Sequence, residues 1–159
     1  MTGMKKRLAV AAFATGMVAM AGMVMASGMM KGGAEGGPIA ERKMAMKEAK
    51  KNFKPLVGMV KGEMAFDAAA VKAHAKALMA ALEKAKANFP EGSDKGETRA
   101  KPEIWLMKDE FNALFDKAIT LAGKIEGADT KEKLAKAVMA LGNDGCKACH
   151  KEYRLPKKM

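Results

Sequence analysis

The stretch Cys146-Lys147-Ala148-Cys149-His150 decides how the rest of the chain is read. It holds both cysteines of the 159 residues and one of the two histidines. On a helix, residues i, i+3 and i+4 share a face, so Cys146, Cys149 and His150 can address one flat group. This is the spacing of c-type haem attachment. The two thiols form thioethers with haem vinyl groups, and His150 turns an imidazole nitrogen to the iron. Rival readings are a disulfide, a thioredoxin-like redox pair and part of a zinc site. A thioredoxin-like pair needs a βαβ setting, which the pattern lacks. A zinc site would need further Cys or His ligands nearby. The residues favour one covalent haem c.

Upstream of the motif, the chain reads as amphipathic helices. Helix 4 begins with Thr130 as N-cap and carries Leu134, Val138 and Leu141. Helix 3 starts near Pro102, with Glu103 at the positive end of the dipole. Its seam is Ile104, Met107, Phe111, Leu114, Ala118, Leu121 and Ile125, and Gly127 ends it. Helix 2 follows the N-cap Asp67, with Val71, Ala75, Leu78, Leu82, Ala85 and Phe89 as its stripe. Pro90 and Gly92 stop it, and 91–101 reads as a loop. Helix 1 spans Ile39 to Val60. Ile39, Met46, Phe53 and Val60 recur every seven residues, with Ala49 and Leu56 between them. Pro55 predicts a bend or a freed carbonyl near Lys51, and Gly62 a stop. No alternating strand pattern occurs. The expected fold is all-α, an antiparallel four-helix bundle with covalently bound haem over 39–159.

The N-terminal block differs in composition. Lys5, Lys6 and Arg7 precede an uncharged run from Leu8 to Met30. A basic start, an apolar stretch and small residues before Ala26 read as a secretory signal over 1–26. The rival is an uncleaved membrane anchor, since about 20 apolar residues span a bilayer. The run is Ala-, Gly- and Met-rich, which weakens insertion and favours cleavage. Residues 27–38 contain five glycines and read as a flexible linker. The expected location is the periplasm, with membrane contact only if the leader stays attached.

The whole chain carries 29 Lys and Arg against 18 Asp and Glu, a formal charge of +11. Loss of 1–26 removes three of these positive charges and leaves +8, from 11 − 3. Two cysteines exclude a disulfide framework. Aromatics at 5%, and lysines spread over all four helices, disfavour nucleic-acid binding. The basic surface fits transient docking on acidic partners.

Three further stretches carry a resemblance. They are Lys61-Gly62-Glu63 followed by Phe66-Asp67, then Lys101-Pro102-Glu103-Ile104-Trp105, then His150-Lys151-Glu152-Tyr153-Arg154. With the haem motif they make residues 39–155 resemble the class II c-type cytochromes, the cytochrome c-prime family. The resemblance implies two branches. One leaves the distal side of the iron under an apolar side chain and binds small gases. The other places a methionine sulfur there and transfers electrons.

The resemblance puts the distal residue four positions after an arginine in helix 1, and Arg42 plus four is Met46. Met46 also lies on the helix 1 seam, whereas Met44 sits about 200° around the helix. The expectation is a one-electron carrier, not an enzyme, with His150 and Met46 as axial ligands of a single iron. The alternative is a five-coordinate protein that binds nitric oxide or carbon monoxide. A third reading is a haem-free thiol redox or metal-handling protein. Arg42 is a candidate contact for a haem propionate, against a solvated first-turn charge. Arg154 shares a helix face with His150, and His74 is expected at a stripe's edge rather than as a ligand. Tyr153 and Phe53 are candidates to pack on the porphyrin, with bundle core as the plainer role. The resemblance also admits a homodimer through helices 1 and 2.

Overall fold

The computed structural model describes residues 36–157, so the expected leader and most of the expected linker lie outside them. Helix α1 runs Pro38–Lys61. Proline suits its first turn because the missing N–H has no intrahelical acceptor there. Glu41 near its start and Lys61 near its end complement the dipole. The helix continues through Pro55. It ends at Gly62, whose φ of 81° is the left-handed conformation that favours glycine.

The buried face of α1 is not the heptad of large residues. Ala45, Ala49, Leu56 and Met59 are buried, together with Arg42 and Asn52. Ile39, Met46, Phe53 and Val60 are half-buried at its edge. Small residues at the centre let α2 approach closely, and the larger ones border other elements. Phe53, for example, lies against Gly142, where an added Cβ would sit 3.8 Å from its Cζ.

Helix α2 spans Ala68–Lys86. Asp67 caps it, its Oδ1 accepting from the amides of Ala69 (2.8 Å) and Ala70 (3.1 Å). All six residues of the predicted stripe are buried. The third rod is broken: α3 covers Glu103–Leu106 and α4 covers Lys108–Glu126. The break falls at Met107 (φ −118°, ψ 55°) and leaves Leu106 82% exposed. In α4 the buried positions include Phe111, Phe115, Ala118, Ala122 and Ile125. Leu114 and Leu121 are half-buried and Met107 is exposed, against the predicted seam.

The fourth rod also departs from a plain α-helix. Helix α5 covers Lys131–Ala140, with Thr130 Oγ1 accepting from the Lys133 amide at 3.3 Å. A π-helical segment, Leu141–Lys147, then leads into helix α6, Ala148–Tyr153. Helix α1 packs on α2 and α5, and α4 packs on α2, α5 and the π segment. The four rods form the expected bundle around one apolar core. Among the described residues, the only β pairing is a bridge between Ala100 and Arg154.

Candidate cofactor site

The π segment sets the orientation of the motif. An i→i+5 turn is wider than an α turn and occurs mostly at functional sites. Gly145 permits this one, since a Cβ there would lie 2.9 Å from Leu141 Cδ1 and 3.3 Å from Ala118 Cβ. Cys146 ends up in the π segment, and Cys149 and His150 in α6.

Helix α6 is anchored from two directions. The Tyr153 ring meets the Phe111 ring edge-on, with centroids 5.2 Å apart. Its backbone pairs with the 99–101 segment: Lys101 N donates to Tyr153 O (3.0 Å) and Leu155 N to Arg99 O (2.8 Å).

Cys149, His150, Tyr153 and Arg154 form one wall of a cavity of about 370 Å³. Helix α1 supplies a second wall through Met46 and the cations Arg42, Lys43, Lys47 and Lys50. Phe89, Ile104, Phe111 and Phe115 give it an apolar floor. Thr98, Arg99 and Ala100 complete it. Among the described residues no carboxylate lines this cavity. Cys146 opens instead on an adjoining depression with Gly142, Lys147 and Lys151, and His150 and Arg154 border both.

The electrostatics of the motif follow from burial. It lowers the His150 pKa from its ordinary 6.5, and Arg154 and Arg99 add to the effect. The neutral imidazole is the metal-binding form. Burial raises the Cys146 thiol. It also raises the Cys149 thiol, with a further push from Cys146, to about 11. Thiol exchange needs the thiolate, so these cysteines are poor thiol redox groups at neutral pH. Among the described residues, no three His, Cys, Asp or Glu side chains gather to hold a metal ion.

The structure therefore brings Cys149, His150, Met46 and Arg42 to one cavity, with Cys146 on its border. Arg42 is neither solvated nor on the rim. It is 4% exposed, and its Nη atoms donate to Asn88 O, Ser93 Oγ, Ser93 O and Thr98 Oγ1 at 2.7–3.2 Å. His74 points elsewhere, with its Nδ1 3.1 Å from Asn52 Oδ1. Phe53 is not among the residues lining the cavity, whereas Tyr153 is.

The residues that sequence reasoning missed are Lys43, Lys47, Lys50 and Arg99. Lys43, Lys47 and Lys50 follow one another at steps of four and three around Met46, which is a helical-face signal. An apolar-floored cavity bearing an imidazole and a thiol, with a second thiol beside it and a rim of cations, fits a haem. The ring is apolar, its propionates are anionic, and the motif would supply the thioethers and one iron ligand.

Comparison with known proteins points to a family of haem proteins. The family model described as Cytochrome C' matches residues 37–154. The cytochrome c' of Rhodopseudomonas palustris is 38% identical over 122 residues, 75% of this chain and 82% of that protein. A cytochrome c-556 of Agrobacterium fabrum is 35% identical over 123 residues, 76% of this chain and 83% of that protein. A solved cytochrome c' from Rhodopseudomonas palustris superposes with a TM-score of 0.70 at 34% identity. It covers 78% of this chain, which in turn covers 100% of it.

Proposed function

The chain belongs to the cytochrome c' family of haem proteins, and from that premise we propose a periplasmic monohaem protein that binds nitric oxide or carbon monoxide. The carrying observation is the cavity shared by α1 and His150. His150 is the only histidine lining it, and the only α1 side chain there without a charge is Met46. Bound there, the haem would supply a redox-active iron, with His150 as the residue that would hold it.

The chain's own residues do the rest. Cys146 and Cys149 hold the ring through thioethers. His150 presents a neutral imidazole. Phe89, Phe111 and Phe115 keep water from the floor, and the cations Lys47, Lys50 and Arg99 would neutralise the propionates. A high-spin ferric spectrum, with carbon monoxide binding to the ferrous protein, is the expected result. A low-spin spectrum that carbon monoxide leaves unchanged would overturn this reading.

One observation favours a second reading. Met46 is on the cavity wall, and a thioether is a soft ligand that suits haem iron and raises its potential. With Met46 and His150 as axial ligands the protein would be a one-electron carrier.

The electron-carrier reading needs a redox partner. Lys43, Lys47, Lys50 and Arg154 border the cavity and form no ion pair among the described residues. They would steer an acidic protein surface to this edge. The 1–26 leader would direct export and be cleaved off, ahead of the 27–38 linker. Among the described residues, no helix is long and apolar enough to cross a membrane. A homodimer through α1 and α2 accords with the family.

A further inference from the structure

Arg42 is a buried cation without a carboxylate in hydrogen-bond contact. Burying a charge is costly unless its hydrogen bonds are met. Here two carbonyls and two hydroxyls meet them, all on the 88–98 segment. The guanidinium also sits 4.7 Å from the Phe89 ring centroid and 5.6 Å from that of Trp105. Lys108 Nζ donates to Phe89 O (2.6 Å) and Trp105 Nε1 to Pro90 O (2.7 Å). The carbonyls just beyond α2 are thus tied to α1, α3 and α4, with Arg42 as the tie from α1.

Arg42 lies one turn before Met46, and Thr98 directly precedes Arg99 and Ala100 on the cavity. Two walls of the cavity are therefore joined through one side chain. We propose that Arg42 is a positioning residue that sets the separation between the Met46 wall and the 98–100 wall. It thereby controls access to the side of the iron away from His150. The proposal rests on the haem reading, but its first readout does not depend on gas binding.

Arg42→Lys tests it, because an ammonium cannot reproduce the planar fork. Thr130→Ala, which removes the α5 cap, is the control for simple loss of stability. Hydrogen exchange of the 88–100 amides in the holoprotein is measured beside the rate of carbon monoxide association. Arg42→Lys is expected to speed that exchange at least tenfold and change the association rate at least threefold, while Thr130→Ala does neither. Unchanged exchange in Arg42→Lys would overturn the tie. Faster exchange with an unchanged rate would overturn its control of access.

If the wild type takes up no carbon monoxide, the gas-binding reading fails. The second readout is then the reduction potential, which the proposal expects to shift in Arg42→Lys and not in Thr130→Ala. A potential unchanged in Arg42→Lys would overturn it. If Arg42→Lys does not fold, Ser93→Ala with Thr98→Val removes two of the four acceptors and carries the same expectations.

Discussion

Gly145 and Ala118 meet so closely that a Cβ on Gly145 would lie 3.3 Å from Ala118 Cβ and 3.4 Å from its Cα. Leu141 Cδ1 would be nearer still, at 2.9 Å. The contact seats the π segment on α4 and aims the haem-binding motif. Gly145→Ala is expected to cost about 1–3 kcal/mol, the usual range for overpacking a filled core. Ala118→Gly in the same chain should recover part of the loss. Thermal unfolding of the wild type and the two variants checks this, and equal stability of wild type and Gly145→Ala would contradict it.

The cap of α2 gives a second prediction. Asp67 satisfies two otherwise unpaired amides. Asp67→Ala should destabilise by about 1 kcal/mol, and Asp67→Asn by much less, since asparagine caps nearly as well. Denaturant titration separates the two.

These elements show what the sequence makes legible. Asp67, Thr130 and Gly62 act through partners within five residues, so local chemistry predicts them. The α2 stripe is legible because every position faces the core. The motif is legible because its three chemical groups lie within five consecutive residues, although the π segment turns Cys146 to an adjoining depression. The π segment is not, since one wide turn leaves no period to detect. Nor is the break at Met107, where the apolar pattern continues from α3 into α4. The burial of Arg42 is not legible either. Its place in the first turn reads equally as a propionate contact or a solvated charge, and its partners are 46–56 residues away. Only the folded chain reveals that it is buried.

Covalent attachment makes a third prediction. Cys146→Ser or Cys149→Ser alone should leave one thioether, so haem stays with the protein in acidified acetone. The double variant should release it. Retention of haem by the double variant would contradict the assignment of both cysteines.

The cavity rim makes a fourth. Lys47→Glu with Lys50→Glu should slow electron exchange with an acidic redox partner at low salt. The difference should shrink as ionic strength rises, because charges separated by more than about 8 Å are largely screened at physiological salt. Lys72 and Lys76 on α2 do not border the cavity. Their reversal should have little effect, and an equal effect would remove the case for docking at this edge.

The distal side of the iron is the central claim, and carbon monoxide titration of the ferrous protein, read by absorption, tests it most directly. The account predicts saturable carbon monoxide binding in wild type and in Met46→Leu alike. It also predicts a high-spin ferric spectrum without a sulfur-to-iron charge-transfer band. A low-spin wild type that shows that band and binds carbon monoxide only after Met46→Leu would contradict it. That result would make Met46 the sixth ligand of an electron carrier.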